Sequence, residues 1–134
     1  MKFLLPSVLL LLLVIAPTSQ SDETELLTAA ANGSHRSAEN IARNKWRHPV
    51  ETLQFFGIKN DMHVAEIWPG SKGWYTEVLA PYSRDNGKLT AISYDGSTGV
   101  DYFLKGDKKF REKLAANPEV YDKVELTNLM PPKS

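Results

Sequence analysis

The chain has 134 residues, with 16 Lys and Arg against 16 Asp and Glu, a formal net charge of zero, and no cysteine. This balance offers no positive field to draw in a nucleic acid, and the missing thiols exclude disulfide scaffolds, zinc–cysteine sites, thiol catalysis and cysteine lipidation. At 42% hydrophobic and 24% charged residues, the composition is that of one ordinary globular domain rather than a disordered chain.

Lys2 supplies a short positive start, and Phe3 to Ala16 is an apolar run with Pro6 inside it. A membrane-spanning helix needs roughly 20 apolar residues, and this run is shorter. Small and polar residues follow, from Pro17 to Ser21, which is the layout of a secretory signal peptide. It is assigned to residues 1–20, with cleavage between Ala16 and Ser21. An uncleaved anchor is the alternative, because Pro17 is a poor residue after a cut and no clean A-x-A precedes it. The mature chain is expected to be exported, periplasmic or secreted, with no stable membrane anchor once the leader is gone. Lacking disulfides, it must draw its stability from packing.

Residues 21–62 read as a helical segment. Glu23 to Ala31 places Leu26, Leu27, Ala30 and Ala31 on one face, with Gly33 as a stop. Ser37 to Lys45 is a second short candidate, with only Ala38, Ile41 and Ala42 to bury. Pro49 suits the first position of a third, where its missing N–H has no intrahelical partner. That helix carries Leu53 and Phe56 on one face, Phe55 beside them, and ends at Gly57.

From residue 63 to 134 the period changes. His63 to Trp68, Lys88 to Tyr94 and Lys123 to Leu129 are short runs bounded by turn residues, and they read as strands. Helices are expected between them, from Trp74 to Tyr82 and from Asp107 to Asn117, the second stopped by Pro118. Strand, helix, strand, helix, strand predicts an α/β fold with a parallel sheet.

The first strand-to-helix turn, A-E-I-W-P-G-S-K-G-W-Y-T-E from Ala65 to Glu77, carries the chemistry. A glycine turn after a first strand aims backbone N–H groups and a helix N-terminus at a ligand. A tight turn needing positive φ explains Gly70 and Gly73 equally well. The spacing is not G-x-G-x-x-G, and Lys72 is followed by Gly73 rather than Ser or Thr, so neither a dinucleotide loop nor a P-loop is expected.

Three strings extend beyond that turn: R-N-K-W-R-H-P-V-E-T-L-Q-F-F-G (Arg43 to Gly57), E-I-W-P-G-S-K-G-W-Y-T-E-V-L-A-P-Y (Glu66 to Tyr82) and L-A-A-N-P-E-V-Y-D-K-V-E-L-T-N-L-M-P-P (Leu114 to Pro132). Together they resemble the exported predicted methyltransferases of bacteria, within the class I S-adenosylmethionine-dependent superfamily. The resemblance implies the N-terminal half of a Rossmann-like sheet, three parallel strands with crossover helices, preceded by helices. It also implies S-adenosyl-L-methionine as cofactor. In such enzymes the acid closing the first strand and the glycine turn hold the methionine and ribose end. This carries over to Glu66, Pro69, Gly70 and Gly73, with Trp68 and Trp74 as walls. An acid closing the second strand usually takes the ribose hydroxyls, since a carboxylate accepts two bonds at once. The common position here is Ser93, and Asp95, of the same strand parity, is the candidate. Lys72 departs from a usually glycine-rich turn, and would crowd the cofactor's carboxylate or pair with it.

His48 sits in the family string, while His35 and His63 read as surface or strand-start residues. No histidine pair has metal-ligand spacing, so no metal site is expected. Lys108, Lys109, Arg111 and Lys113 are interleaved with Asp107 and Glu112, a solvated helix face. The superfamily sheet has seven strands, with the first between the second and fourth, whereas this chain supplies three and stops at M-P-P-K-S. The expectation is a methyltransferase-like protein, acceptor unknown, lacking its acceptor-binding half. The alternative is a non-catalytic remnant or binding module. Without a fourth strand, the first strand's free edge is expected to promote self-association.

Overall fold

The computed structural model describes residues 20–94 and 99–129. The expected signal peptide, through residue 19, and the candidate Asp95 lie outside the described residues. The elements are α1 (Gln20–Asn32), α2 (Ala38–Ala42), α3 (Asn44–Arg47), α4 (Pro49–Phe55), β1 (His63–Ile67), α5 (Thr76–Ser83), β2 (Lys88–Tyr94), α6 (Asp101–Ala115), α7 (Pro118–Tyr121) and β3 (Glu125–Leu129). The fold is α/β, with a three-stranded parallel sheet in the order β1-β2-β3. The register pairs Val64 with Leu89 and Ala91 with Leu126.

Alternation along the strands decides which face is covered. Leu89 and Ala91 are buried against Val78 and Leu79 of α5 and Phe110 and Leu114 of α6, and Val64 and Glu66 share that face. The opposite face carries His63, Ala65 and Ile67 beside Lys88, Thr90 and Ile92, and among the described residues no helix covers it. Ile67 there is 68% exposed and Leu129 50%.

α1 packs on α5 and α4, so Leu27, Ala30, Ala31 and Leu53 join the core that lies over the sheet. Leu26, expected on the apolar face of α1, is half exposed. In α4 Pro49 and Leu53 are buried and Val50 packs against the core; Phe56 and Phe55 lie outside and meet each other edge to face at 5.4 Å. α2 buries none of its apolar candidates fully: its buried residue is Asn40. α6 begins at Asp101, six residues before the start expected at Asp107, supported by the i, i+4 pairs Asp101–Lys105 and Asp107–Arg111. Pro118 does stop it, and immediately opens the short α7 from the first helical position.

Pro81 lies inside α5. Lacking an N–H, it leaves the Glu77 carbonyl without its helical donor. The ring of His35 takes that place, its Nε2–H donating to Glu77 O at 2.7 Å. His35 is therefore half-buried and structural, not the surface residue expected. It lies over Gly33, where a Cβ would meet the ring at 2.4 Å.

Candidate functional site

The turn between β1 and α5 is built by backbone that glycine favours. Trp68 donates its N–H to Ile92 O at 2.9 Å, the last bond of the strand pair. Its φ of 59° then turns the chain, a left-handed conformation that costs a non-glycine residue about 1–2 kcal/mol. Gly70 follows at φ 65° and Gly73 at φ 54°. A Cβ at Gly70 would meet nothing, so the space beside it is open. At Gly73 it would lie 2.7 Å from Phe110 Cε2 and 3.0 Å from Thr76 Oγ1. Gly73 is thus a packing glycine. Gly73→Ala should cost about 1–3 kcal/mol through strain and overpacking; a thermal melt superimposable on wild type would contradict that.

Two other segments pin the turn. The Lys72 carbonyl accepts from Lys113 Nζ of α6 at 2.7 Å and from Asn40 Nδ2 of α2 at 3.4 Å. The Trp74 indole N–H donates to Asn40 O at 3.1 Å, and the guanidinium groups of Arg36 and Arg47 lie over its ring at 5.2 and 4.9 Å. Glu77, fully buried, accepts from Arg36 Nε at 3.2 Å and from Lys113 Nζ. Burial works to raise the Glu77 carboxyl, but the bond from Lys113 and its other donors outweigh it, and the group is held below the usual carboxylate range. Burial lowers Arg36 against the pull of Glu77. Arg36 also donates to the buried C-terminal end of α1 through Ala31 O, a carbonyl with no helical partner.

The Lys72 ammonium leaves the turn altogether and pairs with Glu39 on the surface. It neither crowds nor faces the space beside Gly70. Lys113, expected on a solvated face, is instead a strut between α6, Glu77 and the turn.

A cleft of about 270 Å³ opens at the carboxyl ends of β1 and β2, lined by Trp68, Gly70 and Ser71, by Ser93 and Tyr94, and by Tyr102, Phe103 and Asp107 of α6. One wall is aromatic: Trp68 meets Tyr94 edge-on at 4.3 Å, and Tyr94 stacks on Phe103 at 4.2 Å. Lys105 and Lys109 stand at the rim. Asp107 accepts from Arg111 Nε at 2.7 Å through one oxygen, while its other oxygen is buried with no partner. A planar wall, two serine hydroxyls and a carboxylate suit a small ligand with both an apolar face and polar groups.

Of the residues singled out from sequence, the structure brings Trp68 and Gly70 to this cleft, with Ser93 opposite. Pro69 is the half-buried link between them and accepts at its carbonyl from Gly73 N. Glu66 lies beneath α5, accepting from Thr76 Oγ1 at 2.6 Å. Burial pushes its carboxyl up to about 7, despite that bond. Gly73 and Trp74 are packed behind the turn. His48 is away from the cleft, at φ 43° between α3 and α4, and His63 bonds Thr90 on the uncovered face at 2.8 Å. Sequence reasoning did not single out Tyr94, Phe103 or Asp107 as site residues. Their shared signal is position alone, at the end of the second strand and in the first two turns of the helix after it. Among the described residues no cluster of His, Cys, Asp or Glu is arranged to hold a metal ion. No family model, curated protein or solved structure matches the chain.

Proposed function

We propose that the chain is an exported, S-adenosylmethionine-dependent methyltransferase-like protein, its three strands forming the N-terminal half of a Rossmann-like sheet. The observation that carries this reading is the cleft at the carboxyl ends of two adjacent parallel strands, beside a glycine at positive φ with open space next to it. Ligands of open α/β sheets bind at that end of the strands. The resemblance of the strings around Glu66 to Tyr82 supports the cofactor class, and the strand order β1-β2-β3, with β1 at one edge, agrees with the first half of such a sheet.

The residues present fit part of the cofactor. The cleft is slightly below the roughly 300–1,000 Å³ of sites that enclose a whole small molecule. Backbone at Gly70 and Ser71 and the hydroxyl of Ser93 would hold the polar end, and the Trp68–Tyr94–Phe103 wall would take a planar one. When bound, the cofactor supplies an activated methyl group; the methyl acceptor has no assigned place in this cleft.

Half a pocket predicts weak binding. Calorimetric titration with S-adenosylmethionine should give an affinity weaker than micromolar, less favourable than about −8 kcal/mol. Gly70→Val, filling the open space at a cost of about 1–2 kcal/mol for its left-handed backbone, should remove it in a chain that still melts cooperatively. No response at about millimolar ligand, near −4 kcal/mol, would overturn the cofactor reading.

The alternative reading, a non-catalytic binding module, is favoured by one observation: among the described residues nothing covers the sheet face that carries Ile67 and Leu129 or pairs with the outer edge of β1.

A further inference from the structure

We infer that the free edge of β1 is an interface for a second copy of this chain, paired antiparallel about a two-fold axis at Ala65. This pairing does not depend on whether the cleft takes S-adenosylmethionine.

Successive residues of a strand point their N–H and C=O to opposite sides. Trp68 gives its N–H to β2, and Met62 receives at its carbonyl from Lys88 N of β2 at 3.0 Å. Met62, Val64, Glu66 and Trp68 therefore face β2, and His63, Ala65 and Ile67 present their N–H and C=O to the outer edge. Among the described residues no strand lies on that side. His63, Ala65 and Ile67 are all exposed. Such a row is a template for another strand unless charges, Pro or a bulge blunt it, and H-V-A-E-I has no Lys or Pro and only His63 and Glu66 as titratable groups.

Register then selects the partner. An antiparallel pair of identical strands has a two-fold axis, and the choice is where it falls. Centred on Ala65, the axis places Ala65 opposite Ala65 and His63 opposite Ile67 in both directions. All three are hydrogen-bonded pairs, with about six interchain bonds in total. Centred on Val64 or Glu66, only about four form within the strand. A Glu66 centre also sets two carboxyl groups against each other, which is destabilising. With Ala65 at the axis, no like charges meet along the strand. Glu66 lies opposite Val64, and beyond the strand ends Met62 comes opposite Trp68. Met62 and Trp68 are 39% and 50% exposed in the single chain, so this register also covers apolar surface otherwise left to water. Small Ala65 at the axis lets the two backbones meet without a clash of side chains. The backbone bonds are open to any strand, but the pairings of Met62 with Trp68 and of Glu66 with Val64 arise from this sequence meeting itself, and they select a second copy as the occupant.

The chain has no cysteine, which makes the register directly testable in the full chain. Residues at the axis lie about 5.5 Å apart in Cα, within disulfide range. Ala65→Cys should oxidise to a covalent dimer. Ile67→Cys should not, because its sulfur would lie opposite His63, roughly 13 Å from its counterpart along the strand. In sedimentation across a dilution series, the unmodified chain should show a reversible monomer–dimer equilibrium. Ala65→Lys should weaken that equilibrium by at least about tenfold, a loss of about 1.4 kcal/mol, with an unchanged melt of the monomer. A compact monomer at every concentration would overturn the proposal, and would leave the edge to another segment of chain or a different protein. Efficient cross-linking through Ile67→Cys or Thr127→Cys, with none through Ala65→Cys, would overturn it in favour of a different face.

Discussion

Glu77→Ala should destabilise the fold by about 3–5 kcal/mol, the cost of leaving a buried guanidinium without its carboxylate. The side chains of Arg36 and Glu77 are both fully buried, 3.2 Å apart, and Lys113 reaches the same carboxylate. One residue thus joins the loop after α1, the helix α5 and the helix α6. A domain with roughly 5–15 kcal/mol of total stability would lose a large share of it, so the variant should be partly unfolded at room temperature. Arg36→Met with Glu77→Leu should be less damaging than either single change, because an apolar pair leaves no orphaned charge. Denaturant unfolding of the three variants decides the matter, and additive losses would show that the pair is not coupled. Because its carboxyl is held low in the fold, the contribution of Glu77 is present above the unfolded carboxylate range and lost as pH falls through its folded value.

This latch was not legible in the sequence, and the reason is physical. Arg36 and Glu77 are 41 positions apart, and nothing local to S-H-R-S or Y-T-E says that either side chain is buried. The α/β alternation was legible, because His63 to Ile67 and Lys88 to Tyr94 are short apolar runs bounded by turns. The glycine turn was legible as a turn. Its two glycines nonetheless do different work: Gly70 faces open space and Gly73 makes room for Phe110. Periodicity misplaced Phe56, since an apolar side chain on the expected face need not find a partner there. It also missed the first turns of α6, where Gly106 interrupts the pattern and Tyr102 and Leu104 lie exposed. Ion pairs along the helix, rather than an apolar stripe, mark that start.

Glu66 gives the opposite pH dependence to Glu77, and this is the sharper test of the site. Burial lifts its carboxyl from 4.5 to about 7, so in the folded chain the neutral form is favoured. Between those two values the folded state holds more protons than the unfolded state, and stability must fall as pH rises. The contribution is fully present below pH 4.5, is lost progressively up to pH 7, and is flat above. At 1.36 kcal/mol per unit this is on the order of 3 kcal/mol, an upper figure for a half-buried group. Glu66→Gln keeps a hydrogen-bonding partner for Thr76 Oγ1 and removes the titration. The variant should therefore be more stable than wild type at pH 8 and similar to it at pH 4.5. Stability profiles that stay parallel from pH 4.5 to 8 would mean that the carboxyl is not desolvated beneath α5. The same titration bears on the ligand. If Glu66 accepts from the ammonium of S-adenosylmethionine, only its ionised form can do so, and about half is protonated at pH 7. Cofactor affinity should then strengthen between pH 6 and 8 in the wild type and stay level in Glu66→Gln. An affinity that is level in both would confine Glu66 to holding Thr76 at the start of α5.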